Sequence, residues 1–260
     1  VKKTLISHFY NEEYLLPWWL KHHKKYFDYG IMIDYHSTDN SKKIIEEICP
    51  HWTIVTSNNK DFDAPKVDWE VMEIESLISG YKIVLNTTEF LISTKEDWEK
   101  DFLFEKYDQI LIPSSVMVDD DLNQNELDYN IPLHKQKNKG MDIHIKPKFY
   151  SLRNSRSMHK VKVNYSAGRH FYSYNTQEDL IKTFDDGTTS TIFNILWFGF
   201  SPYNEKLLKR RLQIQNVAPR SPSFGGHHFT DKEGLDIQYA NLLPNSSEIN
   251  FLKKQNILSY

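Results

Sequence analysis

With one cysteine in 260 residues, the chain has no means of building an internal disulfide framework or a zinc site from several thiolates. That scarcity fits a reducing compartment, and Cys49, next to Pro50 at a predicted helix end, reads as a packing residue rather than a nucleophile. Nowhere do roughly 18 apolar residues run together, so no spanning helix is expected. The first residues carry two lysines but no long apolar stretch of the kind a signal peptide needs. The expectation is a cytoplasmic protein, with peripheral contact at the inner face of a membrane left open. A strong excess of one charge sign is also missing. Lys and Arg number 32 against 35 Asp and Glu, a net charge of -3, and no global basic field argues for a nucleic-acid partner. The Gly-x-Gly-x-x-Gly fingerprint is absent after the first predicted strand, where Phe9-Tyr10-Asn11-Glu12-Glu13 stands instead. This argues against a Rossmann-type NAD or methyl-transfer enzyme.

What is present is an alternation of strand and helix patterns. Residues 5–9 read as a strand, 12–26 as a helix with Leu15, Leu16, Trp19 and Leu20 inward, and 31–34 as a second strand. A helix then runs to Pro50, a short strand covers 52–56, a helix covers 67–79 closed by Gly80, and a fourth strand covers 82–85. Such alternation predicts an α/β fold with a mainly parallel central sheet flanked by helices. With no repeat or low-complexity linker, 1–260 is read as one domain of two parts, 1–92 and 93–260. Beyond residue 90 the pattern is less regular. Strands are predicted at 110–113 and 115–118, ending at Asp119-Asp120-Asp121, then a polar loop over 123–140 marked by Lys135, Lys137 and Lys139. Strands at 158–163 and 168–172, a short helix at 178–183 and a basic helix at 204–215 follow. Aromatics make up 14% of the chain, enough to stack on bases and sugar rings, although most read as core.

In a parallel sheet, Asn11 and Glu12 after the first strand and Asp34 after the second converge on one edge, where such sheets open their ligand crevice. Asn11 and Glu12 also suit a helix N-terminus by capping and charge. Ser37, Thr38, Asp39 and Asn40 form a polar turn into the next helix. The fourth strand delivers Asn86-Thr87-Thr88-Glu89-Phe90 to the same edge.

By these residues the chain resembles the family-2 glycosyltransferases of the GT-A fold. The family commonly carries an Asn-Glu pair after its first strand and Asp-Asp-Gly-Ser-Thr-Asp-x-Ser/Thr after its second. Here Tyr35 and His36 replace the second Asp and the Gly. The family's metal-binding Asp-x-Asp falls on Asn86 and Thr88, and only the following Glu89-Phe90 is kept. The resemblance implies that Asn11, Glu12, Asp34, Ser37, Asn86 and Thr88 bind a nucleoside-diphosphate sugar, uridine being the default base. It implies Mn²⁺ or Mg²⁺ held by Glu89 and by His228 late in the chain, a role that the lost carboxylates put in question. A metal-free enzyme needs protein cations at the leaving phosphate, and Lys160, Arg169, Arg210 and Arg211 are the candidates, the last two also fitting a solvated helix face. An inverting reaction, as the family implies, needs a general base, with Glu205 favoured narrowly over Asp119. The implied activity is sugar transfer to a saccharide, polysaccharide or glycolipid acceptor in surface-glycan biosynthesis. The alternative is an inactive nucleotide-sugar or glycan-binding protein of the same fold.

Overall fold

The computed structural model describes residues 2–60, 62–95, 98, 107–119, 126–141, 156–165, 167–169, 192–217 and 230–253. Four strands, β1 (Lys3–Phe9), β2 (Tyr29–Asp34), β3 (Thr53–Thr56) and β4 (Tyr81–Val84), lie parallel in the order β3-β2-β1-β4. The register pairs Phe9 with Asp34 and Asp34 with Thr56, so the loops that follow these strands emerge together. Side chains of β1 enter two cores. Leu5 and Phe9 pack with Met32, Ile83 and the helices α1 (Leu16–His23) and α2 (Ser41–Ile48). On the opposite face Ile6, Ile33 and Val84 meet Val67 and Val71 of α3 (Ala64–Ser76). A strand covered on both faces is mostly apolar, as in Met32 and Ile33 of β2 and Ile83 and Val84 of β4, although β1 also buries Thr4 and Ser7. Gly30 serves this packing directly, because a Cβ there would stand 2.1 Å from the Trp52 ring.

The sheet continues from β4 through two antiparallel strands, β9 (Arg156–His159) and then β6 (Gln109–Ile112). A second sheet, β11-β8-β7-β10-β5, comprises β5 (Glu89–Ser93), β7 (Ser114–Val118), β8 (Lys139–Met141), β10 (Phe193–Phe200) and β11 (Ser247–Glu248), with only β7 and β10 parallel. It joins the first at the turn after β4, where the Phe198 amide donates to the Thr88 carbonyl at 2.8 Å. Among the described residues no helix is long and apolar enough to cross a membrane.

Several expectations need correction. The helix expected over 12–26 is shorter, because Pro17 lacks an N–H and is tolerated only in the first turn. The stretch 123–140 is not all loop: α4 (Leu133–Gln136) and the start of β8 lie in it, and Lys137 is buried beside Asp119. Of the strand expected at 168–172, Gly168 (φ 80) and Arg169 (φ 56) lie in a 3-10 turn, and 170–172 lie outside the described residues. The basic helix is α5 (Glu205–Leu212), and α6 (Lys232–Leu242) follows it. Asp120, Asp121, His228 and the helix expected at 178–183 lie outside the described residues.

Candidate functional site

The loops after β1 and β2 are joined side by side. Asn11, at φ 51, accepts at Oδ1 from the Thr38 and Asp39 amides (2.7 and 3.2 Å), and its own amide donates to Ser37 Oγ at 3.0 Å. The Glu12 amide donates to Ser41 Oγ (2.8 Å) and that of Glu13 to Asp39 (3.0 Å). Asn tolerates positive φ better than most residues, and its short amide reaches two amides across the gap. Asp34 is fully buried, accepting from the Ser37 amide at 2.9 Å and lying 3.2 Å from Lys42 Nζ. In this arrangement Asp34 holds the loop in shape. A residue that sequence reasoning missed organises the neighbouring loops: Glu70 accepts from the Tyr35 hydroxyl (3.0 Å), Ser57 hydroxyl (2.7 Å), Asn58 amide (2.9 Å) and Asn59 side chain (3.2 Å).

Glu12 reaches in the other direction. Its carboxylate takes a two-pronged ion pair from Arg210 of α5, and Gln213 Nε2 donates to the Asn11 carbonyl at 2.7 Å. Arg211 donates to the Gly199 carbonyl at 2.9 Å and lies 4.6 Å from the Phe200 ring centroid. Burial pushes its guanidinium down to about 10. The basic helix is thus not a solvated charged face: both arginines are engaged with the strand ends.

At the turn after β4 every described charge is matched. Glu89 receives Arg156 Nε (3.0 Å) and Nη2 (2.6 Å), together with the Asn86 amide (2.8 Å). Arg156 Nη1 reaches the carbonyls of Gly168 and Arg169 (3.3 and 3.0 Å). Arg169 binds Asp68 through Nη1 (2.6 Å), while its Nη2 donates to Asn86 Oδ1 (2.7 Å) and lies 3.3 Å from His8 Nδ1. Burial pushes the Asp68 carboxyl up, against the downward pull of Arg169 and the Gly168 amide. Asp68 and Arg156, like Glu70, carry no motif that marks them in the sequence.

These residues do not fit a divalent cation. A hard ion needs several oxygen ligands, preferably carboxylates. Asn86 and Thr88 bring none, Glu89 is committed to Arg156, and among the described residues no three His, Cys, Asp or Glu side chains cluster as a metal site. The expected metal role of Glu89 is therefore corrected to an ion pair. Lys160 is corrected too: it pairs with Asp108 at 3.0 Å near the Tyr81 ring, where β4 begins, at the opposite end of the strand from Asn86.

The two candidate bases differ in setting. Asp119 follows β7 beside the end of β10, is buried, and accepts from the Ser201 hydroxyl and from Lys137 Nζ (3.4 Å). Tyr239, stacked on Tyr203 at 3.9 Å, donates to the Asp119 carbonyl. Glu205 opens α5 in solvent, in the field of Lys232 of α6.

No protein-family model matches the chain, and no curated protein matches it. Among solved structures it is similar to S. aureus TarS 1-349 in complex with UDP, at 11% identity and TM-score 0.40, over 88% of this chain and 68% of that one. Against full S. aureus TarS the identity is 10% and the TM-score 0.42, over 93% of this chain and 43% of that one. Glucosyl-3-phosphoglycerate synthase from Mycobacterium tuberculosis, with Mn²⁺, UDP and glucosyl-3-phosphoglycerate, is similar at 12% identity and TM-score 0.39, over 75% of this chain and 70% of that one. Likenesses this distant assign no activity.

Proposed function

We propose that this chain is a glycosyltransferase of the GT-A type, which takes a nucleoside-diphosphate sugar, a uridine nucleotide first among the candidates, and transfers its sugar to a saccharide, polysaccharide or glycolipid acceptor. The observation that carries the reading is the convergence, at the carboxyl edge of β1, β2 and β4, of the Asn11–Ser37 contact, the Asn86 turn and the end of β10. Strand ends at a sheet's carboxyl edge are where α/β folds bind nucleotides. Surface-glycan assembly in the cytoplasm, at the inner face of a membrane, is the setting this reading implies.

Transfer with inversion needs one carboxylate to take the acceptor proton. Of the two candidates we now favour Asp119, because it ends a strand at this edge with Ser201 and Lys137 fixing its oxygens. Glu205 stands in open water. The test is nucleotide release from UDP-glucose, UDP-GlcNAc and their GDP and dTDP counterparts, with and without oligosaccharide acceptors. Asp119→Asn is expected to lower turnover by about a hundred-fold or more and Glu205→Gln by less than about three-fold. Reversal of that order would move the base to Glu205.

One observation favours the second reading, a nucleotide-sugar or glycan-binding protein without catalysis: the turn after β4 has lost both Asp-x-Asp carboxylates, and its remaining one is paired with Arg156. Tight nucleotide binding with neither transfer nor donor hydrolysis would establish it.

A further inference from the structure

Asn86 and Thr88 stand at the two positions where Asp-x-Asp is expected, and Glu89 is bound by both prongs of Arg156. Turning Glu89 toward a metal would take its carboxylate partner from a guanidinium whose side chain is 2% exposed. On the other side of the turn the cationic place is already taken. Arg169 Nη2 lies 2.7 Å from Asn86 Oδ1, Asp68 fixes the same guanidinium through Nη1, and the buried Nε has no hydrogen-bond partner. Within 86–89, Asn86 is half-buried and the other residues are buried, so a ligand at the turn meets Asn86 with Arg169 directly behind it. A guanidinium is planar, permanently charged and shaped for phosphate oxygens, so it needs neither loading nor a particular pH.

We propose that this turn binds the donor's diphosphate without a divalent cation, Arg169 serving as the positive group and Asn86 as the neutral contact in front of it. The inference rests on the transferase reading above.

The test is isothermal titration of the full chain with UDP, GDP and dTDP, in Mn²⁺ and in EDTA, with Mn²⁺ binding followed separately by electron paramagnetic resonance. At least one nucleotide is expected to bind with an affinity that changes by less than about two-fold between the buffers, and Mn²⁺ to find no site with or without nucleotide. Arg169→Ala is expected to weaken binding by about ten-fold or more, and Arg169→Lys, which keeps the charge but not the fork, by less. Thermal melting shows whether each variant folds. Should Arg169→Ala fail to fold, Asn86→Ala, which keeps the Arg169–Asp68 pair, is expected to weaken binding by about three-fold or more. Nucleotide binding that requires Mn²⁺, or affinity unchanged in the folded variants, overturns the proposal and leaves the transferase reading standing. Failure of all three nucleotides to bind in either buffer overturns both.

Discussion

The edge of the sheet is held together in two unlike ways. Between the loops after β1 and β2, amides and short polar side chains of Asn11, Ser37, Thr38 and Asp39 bridge a partly exposed gap. At the turn after β4, Glu89, Arg156, Asp68 and Arg169 form a buried cluster in which each carboxylate faces a guanidinium. The first kind of bracing is local in chemistry and tolerant of water. The second tolerates no missing member, because a lone charge in a dry site is far more costly than a lost neutral hydrogen bond. One edge of a single sheet can therefore be soft in one place and brittle a strand away.

Removing one member of the charged cluster is expected to have the largest effect. Arg156→Met leaves Glu89 buried beside an apolar chain and is expected to destabilise the fold by about 3–5 kcal/mol in urea denaturation. Adding Glu89→Leu to that variant is expected to restore much of the loss. Equal destabilisation in the single and double variants would contradict the account.

Acid probes a different buried site next, the histidines beside β5. His22 and His23 of α1 accept from or donate to the backbone of β5, and the His22 ring lies 5.8 Å from that of His134 in α4. Burial lowers His22 to about 4 and His134 to about 3, and holds His23 well below the usual histidine range. Each folded pKa lies below the unfolded value, so these groups are neutral in the fold and their stability is fully present above about pH 6.5. It is lost as pH falls from there toward the folded values, at up to about 1.4 kcal/mol per pH unit for each histidine. Urea midpoints are expected to fall steeply between pH 6.5 and 5, and His134→Leu to flatten that slope.

The smallest effect is expected on the soft side. Asn11→Ala removes acceptors from Thr38 and Asp39 and asks alanine to hold φ 51, with an expected loss of about 1–2 kcal/mol. A loss as large as that of Arg156→Met would erase the distinction between the two kinds of bracing.

Much of the soft side was legible in the sequence. Strand ends and turns there are written in local terms, as apolar runs followed by Asn-Glu or Ser-Thr-Asp, and the structure brings Asn11 and Ser37 together as the pattern implies. Of the charged cluster, Glu89 and Arg169 stood out in the sequence but Asp68 and Arg156 did not, and the pairing was not legible because partners are separated by up to 101 positions. Arg156 sits in a strand buried along its whole length, where a charge runs against expectation and is explained only once Glu89 is seen opposite. The β10 strand, Phe193–Phe200, was also not assigned from sequence, since its mostly apolar run carries no alternation to distinguish it from a buried helix segment. Arg210 and Arg211, candidates for the leaving phosphate that also fitted a solvated helix face, could not be assigned their contacts from sequence for the same reason: their partners lie in other parts of the chain.

The Glu12–Arg210 pair spans 198 positions and draws α5 down onto the first loop of the sheet. During synthesis the chain emerges from its amino end, and the Glu12 carboxylate meets Arg210 only after nearly two hundred further residues have followed. Contacts of such long range are slow to form and are made late in folding. The amino-terminal half, although its strands and helices are contiguous in sequence, thus depends for its last lock on a residue translated much later.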